Sequence, residues 1–290
     1  MDLVGDDLTA AVVASFGSSP DPRTKAVMGA LVRHLHAFAR EVDLTEEEYF
    51  TAIDFLTRTG KASSGSRQEF VLLADVLGVS MLTVGLGNRK PKAATESTVF
   101  GPFFVEGSPE IELGADLANG APGQPCLVTG RVLDTNGNPI TGARVETWQA
   151  DQDGFYDVQK DTAGPQNRGH LTTDAEGNYS FWAVRPVAYP IPDDGPVGEL
   201  LRAAGRGHMR PAHIHFMVTA PDFARLITHV FAAGDEHLHD DAVFGVKDSL
   251  IAEFIEHPAR IAPDGRALDE PYSTVQYDLV LATTEETRLL

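Results

Sequence analysis

The sequence predicts an α+β chain, with helices up to about residue 90 and mainly a β-sandwich beyond it. Three observations carry this. Before Gly87, apolar residues recur at spacings of three and four, the period of a helix with one apolar face. From about Pro91, glycine and proline become frequent, and short β-branched runs alternate with turn signals. The composition, 42% hydrophobic and 22% charged over 290 residues, is that of a folded globular chain and excludes disorder or a coiled coil as the main state.

The elements follow in order. Asp21 and Pro22 read as an N-cap and the first helical position. Val27, Met28, Leu31, Val32, Leu35, Phe38 and Val42 then form one stripe. Thr45 and Glu48 form a capping box ahead of Ile53 and Leu56, with Gly60 as the stop. Ser66 and Glu69 form a second box, leading through Phe70, Leu73 and Leu77 to Gly78. The helical pattern ends near residues 86–89, and the Lys/Pro/Ala-rich stretch after it divides a helical domain, 1–95, from a sheet domain, 96–290. In the second domain, strands 127–129 and 131–133 precede a turn at 134–139, and strand 143–148 follows it. Further strands are expected at 179–184, 214–219, 224–231 and 273–281, with one helix near 247–257.

Lys and Arg number 23 against 42 Asp and Glu, a formal charge of −19. A surface that acidic repels phosphate backbones, so nucleic acid is not an expected partner. The single cysteine, Cys126, excludes an intrachain disulfide and a cysteine-based zinc site. The start is acidic (Asp2, Asp6, Asp7) where a signal peptide is basic, and no apolar run reaches membrane-span length. The expectation is a reduced, cytoplasmic protein with no membrane association.

The sharpest local signal is His213-Ile214-His215. Histidines at i and i+2 on a strand share one face, which brings two imidazoles to one point. Two ordinary histidines remain the alternative. Tyr156 follows one strand, and Tyr189 lies in a proline-rich loop after another. Each alone reads as a packed ring with a hydrogen-bonded hydroxyl. Taken with the histidines, paired tyrosines favour ferric iron over zinc, because a trivalent cation stabilises phenolates. A zinc hydrolase and a non-enzymatic sandwich binding module are the competing readings.

Several segments together resemble the intradiol ring-cleaving dioxygenases. They are Asp134 through Trp148 to Tyr156, with Gly137, Pro139, Gly142 and Glu146; Arg168-Gly169; Arg185-Pro186; Tyr189-Pro190; 210–216; and 240–244. The resemblance spans about residues 95–255, and the helical part resembles that family's dimerising linker. The segment 96–104 resembles the branch acting on hydroxyquinol (1,2,4-trihydroxybenzene), with a catechol or chlorocatechol enzyme as the alternative.

The resemblance implies one Fe(III) per subunit, with Tyr156 and His213 as equatorial ligands and Tyr189 and His215 as the axial pair. Tyr189 is implied to leave the metal and accept a substrate proton. Arg210 is implied to steady developing negative charge. The implied substrate pocket takes Leu72 and Asp75 from the helices, then Val99, Phe100, Gly101, Pro102 and Phe103. Ile191, Pro192, Arg210 and Val243 complete it. Gly101 is expected to let the backbone approach the substrate ring. Asp75 either accepts a hydrogen bond from the third substrate hydroxyl or is an exposed helix acid. His229 stands where many relatives carry glutamine beside the metal. The implied partners are an aromatic diol or triol, dioxygen, a second copy of the chain through the N-terminal helices, and a phospholipid at that interface.

Other clusters read as structural. His237-x-His239 is expected in a solvated loop, Asp151–Gly154 in a turn rather than a calcium loop, and Cys126 as a buried small hydrophobe.

Overall fold

A computed structural model of the chain describes residues 5–64 and 67–289. Two compact units divide at Arg58 and Thr59. The first holds α1 (Gly5–Ser15), α2 (Pro22–Glu41) and most of α3 (Glu46–Ala62). The Asp21 carboxylate caps α2, accepting from the backbone N–H groups of Arg23 and Thr24 at 3.1 and 2.9 Å. Thr45 and Glu48 close the expected box at the start of α3. That helix runs two residues past Gly60, the expected stop. The stripe on α2 buries Val32 but leaves Val27, Leu31, Leu35, Phe38 and Val42 exposed.

The second unit opens with α4 (Glu69–Val76) and α5 (Val79–Gly87), which turn at Gly78 with φ +71°. Both are apolar but meet at 80°, and among the described residues no single helix is long and apolar enough to cross a membrane. Ser66 lies outside the described residues. Its expected partner Glu69 is buried and committed elsewhere, accepting from Arg67 Nε at 2.9 Å and from the N–H of Val197 at 3.1 Å. Glu69 thereby caps a second helix.

The remaining elements, in chain order, are β1 (Pro125–Asp134), β2 (Arg144–Trp148), β3 (Arg168–Thr172), β4 (Asn178–Val184) and β5 (Tyr189–Pro190). Then come α6 (Pro196–Ala203), β6 (Met209–Arg210), β7 (His213–Thr219), β8 (Leu226–Ala232), β9 (Ile251–Ala252) and β10 (Ile255–His257). The chain ends in β11 (Tyr272–Gln276), β12 (Leu279–Leu281) and α7 (Thr284–Arg288). One sheet runs β10-β11-β1-β12, with β4 antiparallel on the other edge of β1. The second runs β3-β2-β7-β8-β9. β5 and β6 make a separate two-stranded ribbon.

The two sheets face each other across one core. Val128, Val132, Tyr179 and Phe181 come from one side, and Val145, Leu171, Ile214, Phe216, Val218 and Val230 from the other. This is the sandwich that the short strands predicted. The helix expected near 247–257 is absent: a 3₁₀ turn (Asp248–Leu250) leads into β9 and β10. Its apolar residues serve sheet pairing, with Ile251 opposite Phe231 and Ile255 opposite Thr274. Short apolar runs do not separate helix from strand by period alone.

The single strand expected over 273–281 is split at Tyr277 and Asp278. Asp278 accepts the N–H of Arg131 at 2.9 Å, while the Tyr277 carbonyl turns over Gly130. A Cβ at residue 130 would sit 1.8 Å from that oxygen. Gly130→Ala should therefore cost about 3 kcal/mol of stability, read from the urea midpoint. Cys126 is wholly buried on β1, and burial pushes its thiol up to about 12. It should resist a neutral thiol reagent in the native protein and react fully in denaturant.

Candidate metal centre

The alternation of β7 creates the site. Ile214, Phe216 and Val218 enter the sandwich core, so His213 and His215 face the opposite side of the sheet. The register sets Phe231 and His229 of β8 across from them. Trp148 of β2 pairs with His215 on its other side, and the two rings stack at 4.7 Å.

The tyrosines arrive from loops. Asp151 Oδ1 accepts the N–H groups of Asp153 and Phe155, forming the expected turn. Gly154, at φ +82°, lets that turn approach Tyr189, since a Cβ there would lie 2.7 Å from the Tyr189 Cβ. Tyr189 pairs with Arg210 in the β5–β6 ribbon. A strap of residues 96–104 covers the other side. It is pinned to β8 by Thr98 N–H to Ile227 O at 3.0 Å and Thr228 Oγ1 to Glu96 O at 2.7 Å. A buried Arg168–Asp157 ion pair holds its far end, with Arg168 Nη2 donating to Phe103 O at 2.9 Å.

Four side-chain donors converge here. Tyr156 Oη is 2.9 Å from Tyr189 Oη and 2.9 Å from His215 Nε2. Tyr189 Oη is 3.3 Å from His213 Nε2, and the two Nε2 atoms are 3.2 Å apart. All four residues are buried. His213 Nδ1 lies 2.7 Å from Pro211 O, an acceptor only, so Nδ1 carries the proton and Nε2 the lone pair. Burial, then the Arg210 charge, holds the His213 pKa well below its usual value. For His215 burial again leads, followed by His213. Burial raises both tyrosines, with Tyr189 adding to Tyr156, and Arg210 works against the rise in each. The cluster thus offers two neutral imidazoles and two phenols that ionise only beside a strong cation.

Arg210 supplies a fixed charge at its edge. Its Nε donates to Asp241 Oδ1 at 3.2 Å, and its Nη1 lies 3.2 Å from His213 Nε2. Asp241 also accepts the N–H of Gly245 at 2.7 Å. Burial alone would lower the Arg210 pKa, but Asp241 and the two phenols hold it above its usual value.

Ten of the eleven expected pocket residues line one cavity beside this cluster: Leu72, Asp75, Val99, Gly101, Pro102, Phe103, Ile191, Pro192, Arg210 and Val243, with Tyr189. Six of its lining residues also line an outer cavity of about 500 Å³, its route to the surface. Phe100 departs from the expectation. Its ring packs on Phe104 and Trp148 instead. Gly101 does allow a close approach, but to a protein ring, since a Cβ there would lie 3.1 Å from His215 Cε1. Asp75 is not an exposed acid. It is 4% exposed, and burial raises its pKa, opposed by the Ser80 hydroxyl and then Arg210.

Residues 99–283 match a family model described as dioxygenase, and 21–95 match one described as catechol dioxygenase N terminus. The chain belongs to the intradiol dioxygenase family. It is 56% identical to a hydroxyquinol 1,2-dioxygenase of Nocardioides simplex, over 95% of this chain and 94% of that one. The solved hydroxyquinol 1,2-dioxygenase of Pseudomonas putida DLL-E4 superposes with a TM-score of 0.89 at 46% identity, covering 95% and 97%. A catechol 1,2-dioxygenase of Candida albicans is 38% identical, over 95% and 91%. Membership of this intradiol family implies a non-haem iron centre.

Away from the centre, His237 pairs with Asp240 at 3.0 Å in a loop. Among the described residues, the one group of three metal-ligating side chains is His213, His215 and His229. The sequence reading missed the role of Asp241. Its place four residues before Gly245, whose N–H it binds, is the one local signal for it. Asp241→Ala should cost about 3–5 kcal/mol by leaving the buried Arg210 charge unpaired, measured by denaturant unfolding.

Proposed function

We propose that this chain cleaves hydroxyquinol with dioxygen to 3-hydroxy-cis,cis-muconate, the tautomer of maleylacetate, in the breakdown of aromatic compounds. One Fe(III) per subunit is held by Tyr156, Tyr189, His213 and His215. The observation that carries this is the meeting of these four buried atoms in a closed ring, each within hydrogen-bond distance of two others. The donor set fits ferric iron: two imidazoles kept neutral and two phenols needing a cation to ionise, with no thiolate or carboxylate among them. Bound ferric iron supplies the oxidising centre that makes the electron-rich ring reactive toward dioxygen.

The chain's own residues do the rest. Tyr189 is the proton acceptor at its Oη, where Arg210 favours the phenolate it needs. Arg210, fixed by Asp241, stabilises negative charge developing on the ring oxygens. Val99, Pro102, Phe103, Ile191 and Val243 form an apolar slot that excludes water from a flat ring. Asp75, buried in the same cavity, accepts a hydrogen bond from the third hydroxyl. This feature, with the greater identity to hydroxyquinol enzymes, favours hydroxyquinol over catechol or chlorocatechol.

The functional domains we propose are 1–95 and 96–290, in the cytoplasm. The half-exposed stripe on α2 supports a homodimer through the N-terminal helices, with phospholipid held at that interface. Sedimentation and mass spectrometry of a lipid extract test the two parts.

The iron-loaded protein should be reddish from a broad visible tyrosinate band, lost or strongly shifted in Tyr156→Phe and Tyr189→Phe. A colourless protein after aerobic iron loading would defeat the ligand assignment. Asp75→Ala should lower kcat/KM for hydroxyquinol by about tenfold, one hydrogen bond to a charged group, and for catechol much less. Equal losses on both substrates would remove Asp75 from substrate recognition.

A further inference from the structure

The proposed ligand set leaves a third buried imidazole unused. His229 lies directly across from His215 in the β7–β8 register, on the site face of the sheet. It is fully buried. Its ring centroid is 4.1 Å from that of His215 and 4.8 Å from that of His213, edge-on to both. A nitrogen from each of the three rings falls within 4.8 Å of the others.

The two nitrogens of His229 are in unlike situations. Nδ1 is 2.6 Å from Thr98 Oγ1, a short bond to a residue whose own N–H is fixed on Ile227 O. Nε2 is buried and has no hydrogen-bond partner among the described residues. Buried polar atoms are rarely left unsatisfied, and an orphan beside a reactive centre points to a ligand. His229 makes none of the 2.9–3.3 Å contacts that link Tyr156, Tyr189, His213 and His215. It therefore stands outside that set.

We infer that His229 is an outer hydrogen-bond donor of the centre. Thr98 Oγ1–H donates to Nδ1, which fixes the proton on Nε2. Nε2–H then donates to a small oxygen species or anion taken up beside the four-donor cluster. The strap is thereby coupled to the centre, because Thr98 belongs to the same segment as Val99, Gly101 and Phe103 of the substrate slot. His229 is a positioning residue, and the inference rests on the iron reading above.

The test uses iron-loaded protein and fluoride, a small anion that accepts hydrogen bonds, titrated through the visible band. His229→Leu, His229→Gln and Thr98→Val are compared with the parent for iron content, band position and fluoride affinity. All three should keep their iron. Fluoride affinity should fall about tenfold in His229→Leu and severalfold in Thr98→Val, the loss of one hydrogen bond and of its orienting partner. His229→Gln, which keeps an N–H donor, should recover most of it. Loss of iron in His229→Leu and His229→Gln would make His229 a ligand and overturn the inference. Unchanged fluoride affinity in folded His229→Leu or Thr98→Val would reduce both residues to packing. A parent protein with iron but no tyrosinate band would instead overturn the iron reading itself, and this inference with it.

Discussion

β7 is divided between two environments by the period-two geometry of a strand. One face carries Ile214, Phe216 and Val218 into a dry core shared by both sheets. Their burial leaves no freedom of register, since a slip of one residue would put histidines into that core and isoleucine into the site. The same burial that stabilises the sandwich therefore aims His213 and His215. Every other group at the centre is arranged around these two: His229 and Phe231 by cross-strand pairing, Trp148 by stacking, and the tyrosines by loops that leave the sheet and fold back over it.

A second constraint is electrostatic. Nearly all groups at the centre are buried, and burial favours their neutral forms. The exceptions are the charges held in pairs, Arg210 with Asp241 and Arg168 with Asp157. These pairs do different work. Arg168 ties the strap to the loop carrying Tyr156 through Asp157 and the Phe103 carbonyl. Arg210 sets the local potential, pulling against the rise in both phenols and lowering all three imidazoles after burial has done so. A cation fixed at one edge makes the cluster asymmetric before any ligand arrives.

Features written in local sequence were legible: the Asp21 cap, the Thr45–Glu48 box, and the His-x-His pair on one strand face. Each depends on residues within a few positions of one another. The misreadings share the opposite property. Glu69 also binds the N-terminus of α6, a partner remote in sequence that no local pattern announces. The 247–257 segment carries an apolar pattern that pairing with β8 and β11 resolves as strand. Gly130 had no local reason to be glycine until the Tyr277 carbonyl crossed over it. Phe100 was assigned to the pocket with its neighbours, whereas its ring packs on Trp148, a partner remote in sequence. The assembly of Tyr156, Tyr189 and the two histidines was legible through family resemblance rather than through spacing alone.

The tight approach of Gly101 to His215 bears on how this site can be altered. Residue 101 is excluded from variation twice, by its positive φ and by the histidine ring beneath it. The strap therefore forms a ceiling of fixed height over the centre. Changes in the size or shape of the ring accepted must come from the walls, at Val99, Ile191 and Val243, since Phe103 is itself stacked on Tyr156. Laboratory selection for bulkier rings has those positions to work with, and natural divergence within the fold faces the same restriction.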